Sequence, residues 1–253
     1  MNAVLCSTLD MREPGAARSG RSYNQHCPVA RGLDVIGERW TLLIVRDLLV
    51  GPKRYKDLLK GSPGIGTNLL ASRLRELEDL GIVRRRVLPP PAASAVYELT
   101  EAGQALEPII LAMGRWTMRF LGAPRETDVI LPSAYFLGLR ARFRPEAAVG
   151  LTAAYEVRVD DQVFEVRIED GRCTTREGLP SGAADVVIAT DMPTLHEVMS
   201  GRLSADRALA GGGLTLEGDV AALGRFVQLF APDRADAAAP ARRPRSRSRA
   251  RPA

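Results

Sequence analysis

Between residues 28 and 120, apolar side chains recur at helical spacing in short runs, each closed by glycine or proline. Val29, Leu33 and Ile36 form the first stripe, ended by Gly37. Trp40, Leu43, Ile44, Leu48 and Leu49 form the second, ended by Gly51-Pro52, with Trp40 expected in the core. A short helix from Tyr55 to Leu59, a Gly61-Ser62-Pro63-Gly64 turn and a helix from Asn68 to Leu80 follow. Thr67 is the expected N-cap of that helix and Gly81 its stop. Val83 to Leu88 and Ala95 to Leu99 read as two strands around a proline-rich tip, a β-wing. Thr100 then caps a long helix, with Pro108 as a kink or a restart. Leu106, Ile109, Ile110, Met113, Trp116 and Phe120 run along one side of it. So wide an apolar face needs cover, and the same helix of a second subunit supplies it, so these six are the expected dimerisation residues.

After Gly122-Ala123-Pro124 the pattern changes. A helix is expected over 133–144, then strands at Tyr155–Val159, Val163–Ile168 and near Cys173, with Asp170-Gly171 as a hairpin turn. A strand at Val186–Thr190, helices over 192–200 and 204–210, a short strand at Leu214–Leu216 and a last helix ending at Phe230 complete the series. In that last helix Val220, Leu223, Val227 and Phe230 form the expected inward face, with Phe226 at its edge. Strands followed by helices make an α+β domain, so the whole chain is an α+β multidomain protein. The boundaries read as an arm at 1–22, a first domain at 23–122, a linker at 123–129, a second domain at 130–232 and a disordered basic tail at 233–253.

Charge divides the chain in the same places. The net +5 combines +1 over residues 1–23, +4 over 24–100, none over 101–124, −5 over 125–234 and +5 over 235–253. Only the first domain and the tail suit a polyanion. Residues 53–86 hold nine Lys and Arg against four Asp and Glu, and all three lysines (Lys53, Lys56, Lys60) lie there. On the helix from Asn68, Leu70, Leu74, Leu77 and Leu80 share one side, whereas Asn68, Ser72, Arg75 and Asp79 share the other, with Ala71 beside them. A short polar face on a cationic scaffold is what a helix presents to base edges in a DNA major groove. The expected DNA-binding set is therefore Thr67, Asn68, Ala71, Ser72 and Arg75 for the groove, and Lys53, Lys56, Arg84 and Arg86 for phosphate.

Enzymatic motifs are missing. The sequence has no Gly-rich loop ending in Lys-Ser/Thr, no paired-cysteine metal spacing and no Gly-x-Ser-x-Gly elbow, and its only imidazoles are His26 and His196. It reads as a non-enzyme without cofactor or metal. Three dispersed cysteines (Cys6, Cys27, Cys173) point to a reducing, cytoplasmic setting, and no apolar run is long enough to span a membrane.

Several motifs carry a resemblance. Cys27-Pro28-Val29, Ile36-Gly37-Glu38-Arg39-Trp40, Gly51-Pro52-Lys53-Arg54-Tyr55-Lys56-Asp57-Leu58, Pro63-Gly64-Ile65, Arg73-Leu74-Arg75-Glu76-Leu77-Glu78 and Tyr97-Glu98-Leu99-Thr100 resemble the HxlR family of bacterial winged-helix regulators, over about residues 23–120. The resemblance implies a homodimeric transcription regulator that binds an inverted-repeat operator in double-stranded DNA. It also implies, as an alternative, sensing of electrophiles or oxidants through Cys27. The run Ala184-Asp185-Val186-Val187-Ile188-Ala189-Thr190-Asp191, with Gly201-Arg202-Leu203, Ala208-Leu209 and Leu216-Glu217-Gly218-Asp219 through Leu229-Phe230, resembles sterol carrier protein type 2-like domains. That implies a sheet covered by helices and an apolar tunnel near Phe136, Leu139, Met199, Leu209, Phe226 and Phe230. An apolar small molecule bound there would control the regulator. Alternatively, the second domain is a carrier tethered by the first.

Overall fold

A computed structural model describes residues 22–90, 93–122 and 124–231. The expected arm up to residue 21, the basic tail, linker residue 123 and part of the wing tip lie outside these residues. The element order is α1 (Pro28–Ile36), α2 (Thr41–Leu48), α3 (Tyr55–Gly61), α4 (Thr67–Asp79), β1 (Val83–Val87), β2 (Ala95–Leu99), α5 (Glu101–Gln104), α6 (Glu107–Met118) and α7 (Pro132–Arg142). A 3-10 turn (Pro145–Ala148) leads to β3 (Ala153–Val159), β4 (Gln162–Glu169), β5 (Arg172–Glu177), β6 (Val186–Thr190), α8 (Met192–Met199), α9 (Ala205–Ala210), β7 (Leu214–Gly218) and α10 (Val220–Phe230).

Two apolar clusters organise the chain. The first joins Ile44, Val45 and Leu48 of α2 with Leu58, the leucines Leu70, Leu74 and Leu77 of α4, and Val83 and Leu99 of the wing. The second lies between one face of a five-stranded sheet and α7 to α10. Its strand order is β5-β4-β3-β6-β7, antiparallel except for the parallel β3–β6 pair. Period-two alternation sends Tyr155, Val157, Val159, Phe164, Val166 and Ile168 into that core. The intervening Glu156 and Glu165 face each other across the β3–β4 register and are buried, but each carries arginine partners: Arg158 for Glu156, Arg167 and Arg176 for Glu165. The Asp170-Gly171 turn has positive φ at both residues, as a tight hairpin turn demands, and joins β4 to β5.

Helix α7 belongs to both clusters, with Leu137 in the first and Phe136 and Leu139 in the second. Two further contacts fasten the halves. The Glu177 amide donates to the Val50 carbonyl (2.7 Å), and Arg140 donates to the Leu49 carbonyl (3.2 Å) while pairing with Glu107.

Some expectations change. Thr67 is the first residue of α4, and Gly66 occupies the cap without a side-chain bond. The helix after Thr100 breaks in two, and Pro108 sits in the first turn of the second piece, where its missing amide costs nothing. Thr100 does cap α5: its Oγ1 accepts from the Gly103 amide (3.2 Å). Gly103 is required there, because a Cβ would lie 2.2 Å from the Ile82 carbonyl oxygen. In α10 the inward residues are Ala222, Leu223, Phe226, Leu229 and Phe230, so Phe226 is core and not edge, and Val227 is the residue only half-covered.

The expected tunnel residues are packed core. Phe136, Leu139, Met199, Phe226 and Phe230 are fully buried, and Leu209 packs against them half-covered. Phe136 stacks on Phe164 at 4.0 Å, and Phe226 contacts both Tyr155 and Phe230. None of these residues lines the cavity beside Tyr155 and Arg225 or the one bounded by Leu49, Arg84 and Arg176. An apolar ligand here would have to displace side chains that now fill one another's space.

Candidate nucleic-acid interface

Helices α3 and α4 are fixed to each other by sequence-local devices. The Tyr55 hydroxyl donates to the Thr67 carbonyl (2.7 Å), tying the start of one helix to the start of the other. Ser62 is buried in the turn between them, and its carbonyl accepts from the Ile65 amide (3.1 Å). Below, Leu70, Leu74 and Leu77 seat α4 in the core, so its rotation about its own axis is set by burial.

That rotation leaves Thr67, Asn68, Leu69 and Arg75 exposed, with Ala71 and Ser72 half-covered. The first turn of α4 has no acidic residue, so its free amides present the positive end of the helix dipole. Arg75 makes no ion pair among the described residues, and its Nε donates only to the Ala71 carbonyl (3.2 Å). Ser72 donates to Glu76 (3.3 Å). Arg73 is structural: it pairs with Glu76 and, at 3.1 Å, with Glu38 in the α1–α2 turn.

The cations expected on phosphate divide into three kinds. Lys56 is exposed and makes no ion pair among the described residues. Arg84 and Arg86 are exposed on one face of β1 but share a single carboxylate, Glu98, at 2.8 and 2.9 Å. Burial opposes the charge on Glu98, and the two arginine hydrogen bonds outweigh it, holding its carboxyl below the usual range. Lys53 corrects the expectation outright. It is 6% exposed, and its ammonium is in contact with Glu177 of β5 and 2.9 Å from Ser133 of α7. It fastens the two halves of the chain and faces no solvent. Burial pushes Lys53 down to about 8, with Asp47 and Asp57 opposing.

Arg85 is the residue that sequence reasoning passed over. It points to the other face of the wing, exposed and without an ion pair among the described residues. Strand alternation could have found it, since the register sets Arg84 directly opposite Glu98 and so commits the Arg84 face to that carboxylate.

On α6, Ile109, Met113 and Trp116 are exposed, as is Phe120 just past its end, and Trp116 and Phe120 meet edge to face at 4.9 Å. Val29 and Leu33 of α1 are also exposed. Ile110 and Leu106 face inward onto the first core, so they leave the expected dimerisation set. Cys27 is half-buried at the N-cap of α1, whereas burial pushes the Cys173 thiol up to about 12.

A short helix, a tight turn, a second helix with a polar exposed face and a two-stranded ribbon define a winged helix-turn-helix unit. The HxlR-like helix-turn-helix family matches over residues 35–124. The transcriptional regulator YodB of Bacillus subtilis is 40% identical over 98 residues, which cover 38% of this chain and 88% of YodB. The reduced form of the redox regulator HypR is 40% identical over 36% of this chain and 90% of HypR, with a TM-score of 0.34. The chain belongs to the HxlR-like helix-turn-helix family of transcriptional regulators. Residues 139–236 match the alkyl sulfatase C-terminal family. A double mutant of the sec-alkyl sulfatase PisA1 is 28% identical over 41% of this chain but only 17% of that enzyme, with a TM-score of 0.38.

Proposed function

We propose that this protein is a homodimeric, sequence-specific DNA-binding transcription regulator that lays α4 in the major groove of each half of an inverted-repeat operator. The observation that carries this reading is the polar face of α4: Thr67, Asn68 and Arg75 stand exposed opposite three buried leucines, on a helix with no acid in its first turn. Arg75 and Asn68 are the base readers, with Ser72 and Ala71 beside them. Lys56 and Arg85 serve phosphate, and Arg84 and Arg86 do so to the extent that Glu98 releases them. The exposed apolar stripe of Ile109, Met113, Trp116 and Phe120 pairs with its copy across a two-fold axis.

Genomic footprinting of the full chain tests this directly. Symmetric half-sites about one helical turn apart support it. The Arg75→Ala variant should lose about 1–3 kcal/mol on the operator and little on random DNA. Equal losses on both would remove base reading from Arg75. Trp116→Glu should yield a folded monomer in sedimentation, and an unaltered dimer would displace the interface from α6.

We further read the C-terminal unit as a sterol carrier protein type 2-like module, on the order of its strands and helices and on the Ala184–Asp191 motif. Native mass spectrometry showing an apolar co-purifying molecule would support a carrier role. A ligand-free protein of unchanged stability on lipid addition would remove it.

A further inference from the structure

A cavity of about 450 Å³ opens between the winged unit and the edge of the C-terminal sheet. Ligand sites commonly fall at such junctions and in this size range. Leu48, Leu49 and Pro52 give it apolar lining, and Arg84 from the wing, Arg140 from α7 and Arg176 from β5 give it charged lining.

Two polar groups of the lining are incompletely served. The Arg140 Nε is buried and has no acceptor among the described residues, although the rest of its guanidinium binds Leu49 and Glu107. The Thr175 hydroxyl belongs to a residue only 4% exposed, and it too has no partner among the described residues. Buried donors without acceptors are costly and uncommon, and an anionic oxygen within the cavity would relieve that cost. The lining carboxylates are Glu98 and Glu165, against three arginines. Glu98 holds Arg84, Glu165 holds Arg176 and Glu107 holds Arg140, so an incoming carboxylate has to draw an arginine from its present partner, and a second anionic group on the same ligand would find no free counter-charge.

We propose that this interdomain cavity is an effector site for a small monocarboxylate with an apolar body. The carboxylate meets lining arginines and Thr175, and the apolar body lies on Leu48, Leu49 and Pro52. Arg84 and Glu98, one from each strand of the wing, are both in the lining and are paired to each other at 2.8 Å. A carboxylate that draws Arg84 away leaves Glu98 to Arg86 alone, and the wing shifts. The coupling half of this proposal rests on the DNA-binding reading above; the binding half does not.

The test titrates full-length protein with benzoate, and with benzamide as the neutral probe of the same shape, by calorimetry at constant ionic strength. Saturable benzoate binding is expected, with benzamide at least about tenfold weaker. Thr175→Val, which keeps the side-chain shape, should weaken benzoate about five- to tenfold. Arg84→Gln, on the exposed wing, should do the same without disturbing a core. Benzoate and benzamide binding alike, or both variants binding benzoate as the parent does, would overturn the site. In the same samples, benzoate should change affinity for the footprinted operator. Benzoate bound with the expected variant effects but without any change at the operator would overturn the coupling. Intact benzoate binding with no sequence preference on any duplex would instead overturn the DNA-binding reading and leave the site standing.

Discussion

The contact between Lys53 and Glu177 makes an asymmetric prediction. Lys53 is 6% exposed, whereas the Glu177 side chain is 29% exposed, and Ser133 bonds to both. Glu177→Gln leaves an ammonium buried without its main counter-charge. Breaking a buried pair from this side costs about 3–5 kcal/mol. The remaining Ser133 bond and the nearby Asp47 and Asp57 carboxylates put the expected loss near the lower end. Lys53→Met keeps the length of the stem and removes the buried charge, while Glu177 turns to solvent, so its loss should stay below about 1 kcal/mol. The double variant should match Lys53→Met. Urea unfolding followed by the fluorescence of Trp40 and Trp116 reads all three. The pH dependence gives a second check. Burial lowers Lys53 from 10.5 to about 8, so the unfolded chain binds more protons between those values. Stability of the parent should therefore rise as pH climbs through that window, by at most about 3 kcal/mol, and this rise should be absent in Lys53→Met. The same variant should keep the salt dependence of DNA binding, whereas Lys56→Ala should reduce the slope by about one. A Lys53→Met loss as large as that of Glu177→Gln, or a reduced salt slope for Lys53→Met, would refute the assignment of Lys53 to the junction between the two halves.

Two further outcomes follow from the packing. Phe136→Ala removes a fully buried ring stacked on Phe164 and should cost about 3–5 kcal/mol in the same unfolding assay. A loss under about 1 kcal/mol would mean that the second core has room to close, and a pocket there would regain support. If Cys27 senses electrophiles, alkylation should weaken operator binding in the parent and leave Cys27→Ser unaffected, while Cys173, its thiol pushed up to about 12 by burial, stays unmodified. Operator affinity unchanged by alkylation would dismiss Cys27 as a sensor.

The elements themselves were legible because their causes are local. Helical spacing, the glycine and proline stops, the Asp170-Gly171 turn and the alternation of β3 and β4 are readable residue by residue. The burial of Leu70, Leu74 and Leu77, and with it the outward face of α4, follows from spacing alone. Errors arose where a residue's partner lies far along the chain. Lys53 and Lys56 are three residues apart with the same chemistry, yet Glu177 and Ser133 claim one and leave the other exposed. Ile109 and Ile110 are adjacent and identical, and only the packing of α6 on the first core separates an exposed one from a buried one.

The side-chain pattern alone therefore specified the kind of unit, its basic character and which helix offers a polar face, since each is a property of neighbours in sequence. The junction is different. The Lys53 contact, the double membership of α7 and the arginine-lined cavity beside the wing depend on two apolar clusters meeting along α7. A long-range pairing leaves no periodic trace in either partner, and a buried lysine looks like an exposed one until its carboxylate is found.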